Sequence, residues 1–329
     1  MDMMQLIEAF PSNIQEGLKI AGEMSYRKPD RDIHNILICG MGGSGIGGKI
    51  VSQWLESDLT IPVTLCQDYS VPNFVNKNTL VIASSYSGNT EETIMSVEEA
   101  HKKGAYIIGV TSGGKLAQFC KTNEMDCVLV PGGNPPRSAL AFSLVQLVKI
   151  FISLGMVKSH NLEYLENGRK LILAEEKTIR EEGMKLAKVT SGRVPIFYAV
   201  PEYEGIAIRA KQQFNENSKM IGWVNVIPEM NHNELVGWGG GDNRFAAVFF
   251  DNGDLTERNR RRADITFKQI ATKTDIVHTV VAKGNNIIEK SLYLINIIDW
   301  ASWYSADMRN VDAVEIVIID YLKDELAKL

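Results

Sequence analysis

The chain has 329 residues, 45% apolar and 23% charged, with 35 basic against 40 acidic side chains and a formal charge of −5. That length carries one large or two ordinary domains, and the acidic balance excludes a global basic field that would draw the protein to nucleic acid. Four cysteines (Cys39, Cys66, Cys120, Cys127) without a CxxC spacing exclude a disulfide framework and a thiolate zinc site. The N-terminal MDMMQLIEAF has no basic-then-apolar leader pattern. The most apolar stretch, 140–157, holds Lys149, Gln146 and two serines, and reads as a buried helix rather than a membrane span. The expected setting is the cytoplasm, with neither membrane nor nucleic acid as partner.

In chain order, short β-branched runs alternate with helical stretches. Residues 35–40 read as a strand, followed by a glycine-rich turn and a helix from about 46 to 57. A strand at 79–84 leads through a second turn into a helix over 92–104, and strands follow at 105–112 and 127–133. Continuous apolar strands between helices are those of a parallel sheet covered on both faces. Residues 160–193 read as one long charged helix that serves as a connector. A second series then runs strand 194–200, helix 205–219, strand 244–250, helix 255–271 and strand 276–282, and it closes with helices at 286–308 and 314–329. The expected fold class is α/β: two α/β/α sandwich domains with mainly parallel sheets, at 1–155 and 193–329, joined by a helical segment over 156–192. Ligands of such sheets bind where loops leave the carboxyl ends of strands.

The first turn, CGMGGSGIGGK (39–49), contains a formal GxGxxG in Gly40, Gly42 and Gly45. A dinucleotide site also wants an acid about 20 residues on, at the end of a strand; Glu56, Asp58 and Asp68 do not clearly end one. Gly43, Gly48 and Lys49 nearly spell a phosphate-binding GxxxxGK, but the magnesium-binding Ser or Thr is replaced by Ile50. The bland alternative is a glycine turn needed for close packing. The second turn, SSYSGNTEET (84–93), places hydroxyls at Ser85, Ser87 and Thr90. Such residues commonly cap helices. Beside a serine-bearing glycine turn, they also offer hydroxyl and amide donors at a helix N-terminus, which suits a monophosphate dianion.

GMGGSG followed about forty residues later by SYSGNTEET resembles the sugar-isomerase (SIS) domain. With NPPRSAL (134–140), NENSK (215–219), PEMNHNELVGW (228–238) and LKDEL (322–326), the whole chain resembles the bifunctional phosphoglucose/phosphomannose isomerase family. The resemblance implies two SIS-type domains in a metal-independent isomerase that needs no cofactor. It implies interconversion of glucose-6-phosphate, and mannose-6-phosphate as a second aldose, with fructose-6-phosphate through a cis-enediol. It further implies that Gly43, Ser44, Ser85, Ser87 and Thr90 bind the phosphate and that Arg137 lies near C1 and C2 of the sugar. Glu216 would be the base, His232 would open the ring, and Lys323 would assist it. The family works as a homodimer in which the histidine reaches into the partner's site, so shared active sites are implied here.

An aldose–ketose interconversion moves a carbon-bound proton to the adjacent carbon. That calls for a positioned carboxylate, a cation beside the developing oxyanion and a separate acid/base for ring opening. Each residue has an ordinary alternative: a solvated helix carboxylate for Glu216, a loop imidazole for His232, a helix-start ion pair for Arg137, a solvated helix face for Lys323. In the family, tolerance of both C2 epimers is tied to a Thr in the C-terminal segment, whereas 311–326 contains neither Thr nor Ser. The competing functional class is a phosphosugar sensor without turnover, since SIS domains also serve transcription regulators; residues 1–34 are too short and too weakly basic for a DNA-binding helix-turn-helix. The apolar helices at 138–157 and 286–308 suggest more apolar surface than a monomer hides, in keeping with a dimer.

Overall fold

The computed structural model describes residues 2–326 and Lys328. Ala327 and Leu329, which the sequence reading places in the final helix, lie outside the described residues. Internal contacts divide the chain into two units. The first comprises Glu8–Ala174 with Gly284–Leu292; the second comprises the stretch up to Ile7, Glu175–Lys283 and the chain from Tyr293 onward.

In the first unit five strands, β1 (Asn35–Cys39), β2 (Val63–Cys66), β3 (Thr79–Ser84), β4 (Tyr106–Thr111) and β5 (Asp126–Leu129), form a parallel sheet in the order β2-β1-β3-β4-β5. Alternate residues point to opposite faces. Leu37, Val81 and Ile107 pack with Val97, Ala100 and Leu116 on one side, while Ile38 meets the helix Gly42–Trp54 on the other. Every residue of β3 is buried. This double cover is why these strands read as unbroken apolar runs instead of alternating ones. The chain passes from β1 to β2 on one side and then to β3 on the other, so the strand order reverses between β1 and β3. Crevices at such reversals, beyond the carboxyl ends, are where α/β sheets hold ligands.

The second unit repeats the layout with β6 (Val194–Ala199), β7 (Trp223–Val226), β8 (Phe245–Asp251) and β9 (Val277–Val281), parallel in the order β7-β6-β8-β9. Tyr198, Met230, Trp238 and Phe249 fill one face. On the other, Phe197 of β6 meets Phe214 of the helix Glu204–Glu216 with ring centroids 5.3 Å apart. Two parallel α/β sheets thus stand as the expected fold class.

Several local expectations need correction. The 160–193 stretch is two helices, His160–Ala174 and Glu176–Thr190, with the break at Glu175. The first helix after β1 begins at Gly42 rather than near residue 46, so the glycine-rich run belongs to the helix itself. The last strand of the first sheet stops at Leu129, short of Pro131, which has no N–H to continue a ladder. The four-residue strand β2 has no counterpart in the sequence reading. The helix Leu140–Ser153 is nearly all buried within its own unit, where Gln146 Nε2 donates to the Gly17 carbonyl at 2.8 Å. Leu294, Ile297 and Ala301 of the helix Ile287–Met308 are also fully buried, whereas Met308 at its end is exposed. No helix among the described residues is long and apolar enough to cross a membrane.

Candidate active site

In the first unit the two turns meet at the β1/β3 reversal. Gly40, just after β1, lies so close to β3 that a Cβ there would be 2.7 Å from the Ser84 carbonyl oxygen. At Gly45 a Cβ would lie 2.5 Å from the Gly40 carbonyl oxygen, and at Gly43 3.0 Å from that of Pro136. The glycines therefore let one helix N-terminus settle against main chain on three sides. That arrangement leaves Ser44 in the first helical turn, where its Oγ accepts a hydrogen bond from the Tyr86 amide at 3.0 Å. Ser85, 1% exposed, donates its hydroxyl to Thr90 Oγ1 at 3.0 Å. Thr90 holds the N-cap position of the helix Glu91–Lys102 without a side-chain capping bond, and Ser87 accepts from the Asn89 amide at 3.2 Å and is exposed. Gly88, at φ +68°, lies where a Cβ would run into the Gly113 carbonyl, so the turn cannot carry a larger residue there.

The short 3₁₀ turn Pro136–Ser138 closes the same edge. The Arg137 amide is 3.2 Å from where a Gly43 Cβ would be, and Arg137 is 3% exposed. Gly43, Ser44, Ser85, Thr90 and Arg137 are thus one neighbourhood, with Ser87 on its exposed lip. Two helix N-termini and the hydroxyls of Ser44, Ser85 and Thr90 thus meet at the mouth of the sheet, and helix N-termini in general favour anions.

The remaining expected residues belong to the second unit. Glu216 is the last residue of its helix and is half-buried. His232 ends the 3₁₀ turn Glu229–His232, which follows the cis Ile227–Pro228 peptide, and is exposed. Lys323 is exposed on the helix Val317–Leu326, which buries none of its residues, and its ammonium lies 3.6 Å from Asp320. The unit also has a cavity of about 370 Å3 by the carboxyl ends of β6 and β8, bordered by Val200, Asp251 and Arg260; none of the expected residues lines it. Among the described residues no group of three or more His, Cys, Asp or Glu side chains could hold a metal ion.

Residues 31–130 match the SIS domain model, and residues 179–326 match the bacterial phospho-glucose isomerase C-terminal SIS domain. A bifunctional phosphoglucose/phosphomannose isomerase from Caldicellulosiruptor bescii is 35% identical over 99% of this chain and 99% of its own length. This chain belongs to the bifunctional phosphoglucose/phosphomannose isomerase family. A relative of the same name from Aquifex aeolicus is 36% identical over 89% of this chain and 90% of its own. Among solved structures, the C-terminal domain of glucosamine-fructose-6-phosphate aminotransferase from Francisella tularensis superposes with a TM-score of 0.79. It covers 95% of this chain and 98% of that one at 16% identity, a likeness of fold.

In this family member one set of residues escaped the sequence reading. Arg209, Gln213 and Asn217, four residues apart, make a buried stripe along the Glu216 helix and its cap. Arg209 Nη2 donates to both Asp299 carboxylate oxygens at 2.8 Å, and Gln213 Nε2 donates to Asp299 Oδ1 at 2.8 Å. Asn217 Nδ2 donates to Ser302 Oγ at 2.9 Å, and Ser218 Oγ to the Ser302 carbonyl at 2.7 Å. Burial pushes the Asp299 carboxyl up, and the Arg209 guanidinium pulls against that push. The available signal was polar: Asn296, Asp299, Ser302 and Ser305 interrupt the otherwise apolar run 292–306 at a spacing of three, and Arg209, Gln213 and Asn217 are spaced four apart.

Proposed function

We propose that the chain is a cytoplasmic aldose–ketose isomerase interconverting glucose-6-phosphate, and mannose-6-phosphate, with fructose-6-phosphate through a cis-enediolate. The phosphate sits in the cup of Ser44, Ser85, Ser87 and Thr90, with the Gly43 main chain beside it. Hydroxyls and amides bind a dianion firmly without the long-range pull of a lysine cluster, which favours release of a product carrying the same phosphate. Arg137 stabilises the oxyanion that develops at C1 or C2, an effect worth about 3 kcal/mol in comparable sites. Glu216 takes the proton from one carbon and returns it to the next. His232 opens the sugar ring, with Lys323 assisting, and the enzyme acts as a homodimer in which His232 serves the partner's site. The absence of Thr and Ser from 311–326 makes glucose-6-phosphate the preferred aldose.

The observation that carries this reading is the hydroxyl cup, locked by the Tyr86–Ser44 hydrogen bond, in a chain that matches an isomerase of that name end to end. A coupled assay of glucose-6-phosphate formation from fructose-6-phosphate tests it. Wild-type protein should turn over, and Glu216→Gln should lose at least a hundredfold in kcat with KM little changed, because the base acts in the transition state. Binding of the phosphosugar without turnover by wild-type protein would overturn it in favour of a sensor.

A further inference from the structure

Three residues after Glu216 the chain places a lysine where a glycine would be easier. Lys219 has φ +53°, in the left-handed region that costs a residue with a Cβ about 1 kcal/mol and that glycine ordinarily fills at helix ends. The conformation returns the side chain across the end of the helix Glu204–Glu216. There Lys219 Nζ donates to the Glu216 carbonyl at 2.6 Å and to the carbonyls of Asp312 and Glu315 at 2.7 Å each. An ammonium has three N–H donors, matching these three carbonyls in number, and the Glu315 carboxylate also lies 4.0 Å from it. The lengths of the three bonds are those of charge-assisted bonds. The Glu216 carbonyl is among the last four of its helix, which have no intrahelical donor, and a cation there also meets the negative end of the helix dipole.

We propose that Lys219 is a positioning residue, fixing the end of the helix that carries the base to the segment that leads into the C-terminal helix. The inference rests on the reading of Glu216 as base. Within the segment it grips, Asp312 Oδ1 accepts from the Val314 amide at 2.7 Å, and Glu315 accepts from the Val317 amide. Beyond it the helix Val317–Leu326, which carries Lys323, buries no residue of its own. Lys219 thus joins the main chain of Glu216 directly to the approach to Lys323. Proton abstraction is sensitive to displacements below an ångström. Releasing this clamp lets the carboxylate move without touching the phosphate cup.

The test is steady-state kinetics with glucose-6-phosphate and its C2-deuterated form on Lys219→Met and Lys219→Gly, together with thermal unfolding. Lys219→Met keeps the stem and removes the three donors; Lys219→Gly removes them and also relieves the positive φ, so its fold is protected. Both variants should remain folded, lose at least tenfold in kcat with KM changed by less than threefold, and show a larger deuterium isotope effect. The isotope effect should grow because the carbon–hydrogen step becomes more nearly rate-limiting. Wild-type kcat in both variants overturns the proposal. So does a loss proportional to the unfolded fraction with an unchanged isotope effect, and so does failure of both variants to fold, which would make the role structural. Glu216→Gln separates the two levels of inference. If it is inactive while Lys219→Met keeps wild-type turnover, only the positioning role falls; if it is fully active, the base assignment falls first.

Discussion

Replacing Arg209 with Met strips the guanidinium from a carboxylate that the fold has almost completely enclosed. Asp299 is 4% exposed, and the two bonds from Arg209 at 2.8 Å are joined by the one from Gln213. Breaking such a pair from one side costs about 3–5 kcal/mol when the remaining charge stays buried. The carboxyl can escape by taking a proton, which caps the loss. From an ordinary carboxyl pKa of about 3.9, neutralisation costs about 4 kcal/mol at pH 7 and about 1.5 kcal/mol at pH 5. The sign follows from the direction of the shift. In the variant the native pKa lies above the unfolded one, so the folded form binds the extra proton and stability falls as pH rises. Because the wild-type Asp299 carboxyl is itself pushed up and gains stability in the same direction, the penalty of Arg209→Met relative to wild type should shrink by less than about 2.5 kcal/mol between pH 7 and pH 5. Urea denaturation followed by tryptophan fluorescence reads this unit well, because Trp223, Trp238, Trp300 and Trp303 all belong to it. Arg209→Met/Asp299→Leu, with no buried charge left, should be more stable at pH 7 than Arg209→Met alone. A penalty that is independent of pH, or below about 1 kcal/mol at pH 7, would refute the reasoning.

Ser87→Ala should raise KM for the phosphosugar about tenfold or more, the worth of a hydrogen bond to a charged group, while kcat stays within threefold. Initial-rate kinetics checks this, and a kcat loss at unchanged KM counts against a phosphate-binding role. His278 on β9 is pushed below the ordinary histidine range, first by burial and then by Lys185, with Glu182 opposing; its Nε2 is buried without a hydrogen-bond partner. Neutral in the fold and protonated more readily when unfolded, it supports stability above about pH 6.5, and that support is lost as pH falls through the lower native pKa. His278→Leu should flatten the fall in urea midpoint between pH 7.5 and pH 5, and an unchanged slope contradicts the assignment.

Much of the architecture was readable because buried parallel strands announce themselves. The runs around Leu37, Val81 and Val248 are apolar on both faces, and glycine or hydroxyl turns follow the first two. β2 was not readable: Val63–Cys66 is four residues long and three of them are only half-buried, so it lacks the length and pattern of a strand. The split at Glu175 was hidden for another reason. The flanking helices are charged on their outer faces, and no Gly or Pro marks the break. At the candidate site, local sequence was enough to single out Ser44, Ser85 and Thr90 as neighbours because they lie on two consecutive strand–helix connections. Nothing local links Arg209 to Asp299, ninety positions away. Nor does anything local explain why a lysine occupies the positive-φ position after Glu216; side chains that act by holding main chain leave only their conformational oddity as a trace.

Deuterium uptake is the most direct probe of Glu216 as the group that carries hydrogen between C1 and C2. Fructose-6-phosphate incubated with the protein in D2O and analysed by mass spectrometry should gain carbon-bound deuterium with wild-type enzyme. With Glu216→Gln, uptake should be at least a hundredfold slower although the phosphosugar still binds. Uptake by Glu216→Gln at the wild-type rate would contradict the assignment outright.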